Sequence, residues 1–171
     1  MRVTIDNPDK SVYNLIKWLK GAIGDKNYSR YYSLSGIKVT GNLVMSTDGY
    51  VALIGNLKEK ILDDGLYSIE TINKKIVVFD SYEYAYPDFK ATLGAYYYKP
   101  NATDRFAVDL RKFAQVAGKF SQSSIMINNM AYVIELHDAN NDYPDGEYMA
   151  VVMGLRDIPM DFTAWHKFME G

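Results

Sequence analysis

The cations of this chain fall in two places where their spacing could do chemistry. Lys10, Lys17 and Lys20 lie within one stretch, and Arg111, Lys112 and Lys119 within another. Positive groups repeated along one face neutralise phosphates and release condensed counterions, without reading any base. The means of catalysis are scarce by comparison. With no cysteine, the chain has no disulfide framework, no thiolate zinc site and no cysteine nucleophile. His137 and His166 are its two histidines; neither has a ligand partner at metal-binding spacing, and both read as structural. No phosphate-binding glycine loop, nucleophile elbow or His-Glu-x-x-His motif occurs. Asp138-Ala139-Asn140-Asn141-Asp142 opens like a calcium loop. Tyr143 and Met149 then stand where that loop requires glycine and a bidentate glutamate, so a tight turn is expected instead. No cofactor and no metal are expected, and the chemistry on offer is binding.

Two amphipathic helices must position these cations. In the first, Val12, Leu15, Ile16, Leu19 and Ile23 share one face, with Lys10, Lys17 and Lys20 beside it. Asn7-Pro8-Asp9 predicts its start, with Asn7 as the capping residue, and Gly21 and Gly24 predict its end. The second is expected over Arg105 to Phe120. Leu110, Phe113, Val116, Ala117 and Phe120 gather on one side and Arg111, Lys112 and Lys119 on the other, with Asp109 in the first turn. From Asn7 to Lys20 the charge is +2 and from Val108 to Phe120 it is again +2, in a chain whose net charge is −2, so the remainder carries −6. Two basic helices in an acidic protein point to a polyanion.

Around the helices the pattern is β. Arg2 to Asp6 reads as an edge strand, and Ile37 to Val39, Leu43 to Ser46 and Tyr50 to Ile54 as strands broken at Gly41-Asn42 and Asp48-Gly49. Leu66 to Ile72 and Ile76 to Phe79 form a hairpin pattern across Asn73-Lys74-Lys75, and three further strands follow the second helix. Tyr86-Pro87 reads as a connection, since proline cannot continue a central strand. Tyr28, Tyr31 and Tyr32 near Arg30 could stack bases, but read first as ordinary strand and surface tyrosines. Phe162, Trp165 and Met169 have helical spacing in a hydrophobic tail expected to pack on its own domain. At 171 residues and 48% hydrophobic, the chain suits one domain. No apolar run approaches the ~20 residues of a membrane helix and the N-terminus has no secretion signal, so a cytoplasmic protein with no membrane partner is expected.

Three motifs in order resemble the bacterial DNA sliding clamps. The strand Tyr148-Met149-Ala150-Val151-Val152-Met153-Gly154-Leu155-Arg156 is similar to a closing clamp strand that reads Val-Met-Pro-Met-Arg; Met153 and Arg156 match, Leu155 replaces methionine and Gly154 proline. Tyr86-Pro87-Asp88-Phe89 resembles the family's Phe/Tyr-Pro-Asp-Tyr/Phe link. Thr47-Asp48-Gly49 resembles the start of Thr-Asp-Gly-His-Arg-Leu, before Tyr50, Val51 and Ala52 depart from it. The resemblance implies an α+β fold: one sliding-clamp-like domain over residues 1–156, two helices packed against antiparallel sheet, and pseudo-duplicated halves of about 1–89 and 90–156. Residues 157–171 form the tail. It also implies a non-enzymatic processivity factor, or a clamp-derived interaction module of DNA replication, acting as a homo-oligomer and consistent with a phage-encoded, reduced relative in a host cytoplasm. Lys10, Lys17, Lys20, Arg111, Lys112 and Lys119 would face duplex DNA independently of its sequence. Thr47, Gly49, Val151, Val152, Met153, Gly154, Leu155 and Arg156 would border a pocket for a peptide of a DNA polymerase or another replication protein. The alternative from a different class is a viral assembly (scaffolding) protein that never touches DNA.

Overall fold

Short apolar runs separated by turn residues fold back on one another, and here they do so into a single antiparallel sheet. The computed structural model describes residues 1–24, 34–86, 110–120, 122–128 and 131–153. The tyrosine-rich stretch at 25–33, Asp88, Phe89, Asp109, the expected helix residues before Leu110, and the tail with Phe162, Trp165, His166 and Met169 lie outside them. The elements are β1 (Arg2–Asp6), α1 (Lys10–Lys20), β2 (Ile37–Thr40), β3 (Leu43–Thr47), β4 (Val51–Asn56), β5 (Gly65–Ile72), β6 (Ile76–Tyr82), α2 (Leu110–Ala117), β7 (Gln122–Asn128), β8 (Ala131–His137) and β9 (Tyr148–Met153).

The nine strands run in the order β1-β6-β5-β2-β3-β4-β9-β8-β7, every neighbouring pair antiparallel. The turns are built as their residues dictate. The Asp48 carboxylate accepts the Tyr50 and Val51 amides at 2.9 and 2.8 Å, while Gly49 takes φ 90°, a conformation glycine adopts without strain. Asn73 does the same for Lys75 and Ile76 between β5 and β6. Each helix is followed by a meander: α1 by β2-β3-β4 and α2 by β7-β8-β9. The last strands of the two meanders pair, Val51 with Val152 and Leu53 with Ala150. The two meanders therefore meet along one seam in mirror order, each preceded in the chain by a helix. The β5-β6 hairpin and β1 extend the first half, with β1 at the sheet edge as its residues predicted.

α1 seats deeply on this sheet, with Leu15, Ile16 and Leu19 fully buried beside Val39, Val44, Leu53 and Phe79. Each such aliphatic side chain contributes about 1.5–3 kcal/mol by leaving water. Gly55 makes the close approach possible, since a Cβ there would stand 2.7 Å from Leu15 Cδ1 and 2.9 Å from the Tyr148 ring. The helix start differs from expectation. Asp9, rather than Asn7, is the N-cap, accepting the Ser11 amide at 2.7 Å, while Asn7 turns the chain with φ 47°. An aspartate aimed at the first free amides outcompetes an asparagine that the turn has already used.

The end of α2 also differs. The sequence pattern carried the helix to Phe120, but α2 stops at Ala117 because Gly118 adopts φ 50°. Glycine in this left-handed conformation is a common helix terminator. Phe120 then leaves the helix and stacks on Tyr143, ring centroids 4.2 Å apart.

Candidate nucleic-acid interface

α1 and α2 lie side by side and antiparallel. Trp18 Nε1 donates to the Val116 carbonyl at 3.0 Å, the Gln115 amide donates to the Gly21 carbonyl, and Lys119 Nζ donates to Asn14 Oδ1 at 3.1 Å. Residue numbers rise along one helix as they fall along the other. The crossing is closed by an aromatic cluster of Trp18, Phe120, Tyr143 and Tyr148, with centroids 4.2 to 6.2 Å apart. Burial pushes the Tyr143 and Tyr148 hydroxyls above their ordinary pKa, so both stay neutral donors and acceptors. Tyr143 Oη accepts the Lys119 amide at 2.9 Å, and Tyr148 Oη donates to the Pro144 carbonyl.

Most of the predicted apolar faces are where the sequence placed them, but Ala117, expected on the apolar side, is exposed where α2 ends before Gly118, and the Leu110 side chain lies outside the described atoms. Leu15, Leu19 and Val116 are buried, while Phe113 and Phe120 are partly buried against the same core. Four residues of this layer carry no signal that a single helical face would reveal: Asn14, Trp18, Tyr143 and Tyr148 are buried through contacts between distant parts of the chain. Trp18 fell outside the expected stripe, although its size alone marks it as a residue that needs a partner.

The six candidate cations divide by their surroundings. Lys17 and Lys20 are exposed and have no acidic partner among the described residues; Lys17 Nζ stands 6.0 Å from the Tyr13 ring centroid. Lys17 and Lys119 both line the shallow cleft between the helices, which puts them on one side of the molecule. Lys10 and Lys119 reach the same oxygen, Asp142 Oδ1, at 3.1 and 3.6 Å. The Lys10 bond, helped by the charge of Lys119, holds the Asp142 carboxyl below its usual range despite some desolvation. Lys112 pairs with Asp48 in a part-buried bridge beside the Tyr50 ring. Burial raises the Asp48 pKa, but the Lys112 bond and the Val51 and Tyr50 amides outweigh it and leave the carboxyl below 3.8. Arg111 lies in α2, its side chain outside the described atoms. Among the described residues, the layer thus presents Lys17 and Lys20 without acidic partners, and spends Lys10, Lys112 and Lys119 partly on holding loops to helices.

The loop that resembled a calcium site is an aspartate-capped turn. Asp138 Oδ2 accepts the Tyr143 amide at 2.7 Å and Asp142 serves the two lysines, so both carboxylates already have partners.

A sheet of two meanders joined at their last strands, carrying two antiparallel helices on one face, has a counterpart among solved structures. The DNA polymerase III β subunit of Borrelia burgdorferi, solved in complex with a natural product, superposes with a TM-score of 0.56 at 12% identity, over 91% of this chain and 64% of that one. The fold is that of a bacterial sliding clamp. A Helicobacter pylori β clamp bound to a DNA ligase peptide is also similar, with a TM-score of 0.49 at 12% identity over 96% of this chain and 69% of that one. The Bacillus subtilis sliding clamp gives 0.42 at 13% identity over 92% and 65%. This chain therefore spans under two thirds of the Borrelia clamp chain. No protein-family model matches the sequence, and no curated protein does. At such low identity the clamp likeness lives in the backbone, which is why three short motifs were the only trace of it in sequence.

Of the residues that the clamp resemblance assigned to a peptide pocket, Thr47 and Gly49 form the turn before β4. Thr47 Oγ1 accepts the Gly49 amide at 3.0 Å and donates to the Val51 carbonyl at 2.7 Å. Val151 and Val152 are buried at the seam beside that turn, since Val152 pairs with Val51. The structure brings these four together at one end of β4. Met153 ends β9 with its side chain outside the described atoms, and Gly154, Leu155 and Arg156 lie beyond the described residues. Among the described residues, no helix is long and apolar enough to cross a membrane.

Proposed function

We propose that this chain is a clamp-type, non-enzymatic replication protein that holds duplex DNA against its helix layer, working as a homo-oligomer. The observation that carries the reading is the pairing of α1 and α2 on one sheet face with Lys17 and Lys119 flanking the cleft between them and Lys20 exposed nearby. Cations spread over two adjacent helices suit contact with successive phosphates, which carry no base information. The turn at Thr47 and Gly49, with Val151, Val152 and the segment from Met153 to Arg156, is the region we assign to capture of a polymerase or other replication-protein peptide.

Duplex-DNA affinity measured against salt concentration tests the reading. Each lysine that neutralises a phosphate contributes about −0.9 to the slope of log affinity on log salt. Lys17→Gln, Lys20→Gln and Lys119→Gln together are expected to flatten that slope by about 2 to 3 units, with the same result on any base sequence. Native mass measurement on the same sample is expected to show a closed homo-oligomer. A strict monomer with no salt-dependent affinity for duplex DNA at low ionic strength would overturn the proposal and favour the assembly-protein alternative.

A further inference from the structure

A groove of about 490 Å³ opens at the foot of α1, between the end of β1, the loop after β4 and the loop before β9. It stands at the far end of β4 from Thr47 and Gly49: Leu57, which follows β4, forms part of its floor. The strand between spans about 17 Å at ~3.3 Å per residue, so this groove is separate from the region assigned above to replication peptides. Ile5, Pro8, Val12 and Ile61 show part of their surface to it, above Leu57 and Tyr143, which are buried. An apolar anchor of one or two side chains would find a lining here that is already in place.

Charge decides what kind of anchor. Lys58 lies on the rim, but its Nζ is 3.1 Å from Asp145 Oδ2 and the two offset one another. Asp6, Asp9 and Glu59 remain, all exposed and all lining the groove. The first amides of α1 do not favour an anion in return, because Asp9 already accepts the Ser11 amide. An apolar floor within an acidic rim complements a segment that carries both lysine or arginine and a bulky apolar residue. The tail of this chain does not fit that description, since Asp157, Asp161 and Glu170 outnumber Lys167.

We propose that this groove docks a short cationic, apolar segment of a partner protein, independently of whether the helix layer binds DNA. A randomised dodecapeptide display library selected on the intact chain tests it, with recovered peptides measured by fluorescence anisotropy. The expected winners set lysine or arginine beside leucine, phenylalanine or methionine. Asp6→Asn with Glu59→Gln, two exposed changes that leave the core untouched, is expected to weaken them roughly three- to tenfold. Ile61→Glu is expected to abolish binding, with circular dichroism checking that the fold persists. Lys17→Gln with Lys20→Gln should leave peptide affinity unchanged, and the groove variants should leave the DNA salt slope unchanged, so the two proposals fail separately. Winners that are acidic, no enrichment at all, or affinities indifferent to Asp6→Asn with Glu59→Gln would overturn the proposal. So would a concentration-dependent dimer abolished by the groove variants, because the occupant would then be a second copy of this chain.

Discussion

α1 and α2 occupy corresponding places in the two halves, yet they are held by different forces. α1 has eleven residues and buries Leu15, Ile16 and Leu19 completely, together with most of Trp18. Eight residues of α2 are described, and among them Val116 is buried while Phe113 is only partly so. Among the described residues, α2 buries fewer apolar side chains than α1 and is also held by polar ties: Lys112 to Asp48, Gln115 to the Gly21 carbonyl, and the Val116 carbonyl to Trp18. Apolar burial resists salt and acid, whereas an ion pair is screened by salt and is lost once pH falls through the folded pKa of its carboxyl. Two helices of one design can therefore share a surface while differing in how conditions loosen them.

Removing the strongest attachment should break the comparison at its firm end. Leu15→Ala deletes a fully buried side chain packed over Gly55 and is expected to cost about 2–5 kcal/mol, read by urea unfolding. Gly118→Ala comes next. The new Cβ would need a backbone with φ 50° and would stand 2.7 Å from both Trp18 Cδ1 and Tyr143 Oη. A loss of about 1–3 kcal/mol is expected, with a changed near-ultraviolet signal from Trp18. That variant presses on the aromatic cluster through Trp18 and Tyr143, while the atoms nearest the new Cβ include none of Leu15, Ile16 or Leu19.

The smallest effect sharpens the contrast. Asp48→Asn keeps an oxygen for the turn amides but removes the charge facing Lys112, at an expected cost of about 1 kcal/mol or less. The sign with pH follows from the lowered carboxyl. Because the folded-state pKa lies below 3.8, the contribution is complete above that value and is lost as pH falls through the folded pKa. Asp48→Asn should remove this acid-sensitive component. Amide exchange should speed up in α2 and stay unchanged in α1; equal acceleration in both helices would show that they are one mechanical unit.

Much of this arrangement was legible in the sequence where the signal is local. Asp48-Gly49 and Asn73-Lys74-Lys75 make turns because their side chains satisfy amides two and three residues away. The stripe of Val12, Leu15, Ile16 and Leu19 needs only the helical period. The cation partners needed more. Asp48 and Lys112, or Asp142 with Lys10 and Lys119, meet only once the fold is complete, so sequence could place six positive charges on two helices but not say which were already engaged. The ends of the helices failed for a different reason: Asp9 and Gly118 were each visible, but a neighbouring pattern, Asn7-Pro8 or the apolar spacing to Phe120, made a competing case that the backbone did not follow.

The seam between β4 and β9 has a consequence in time. Hairpins such as β5-β6 and β7-β8 join residues close in sequence and can close within microseconds. Val51 and Val152 stand about a hundred residues apart, and contacts at that separation carry the largest loop-closure entropy in the sheet. Until they meet, each meander keeps an unpaired edge of five or six largely apolar residues, Val51-Ala52-Leu53-Ile54-Gly55 on one side and Tyr148-Met149-Ala150-Val151-Val152-Met153 on the other. An edge of that kind pairs with any exposed strand it meets. The same join that makes two halves into one sheet is thus the interval in which a nascent chain is most open to aggregation.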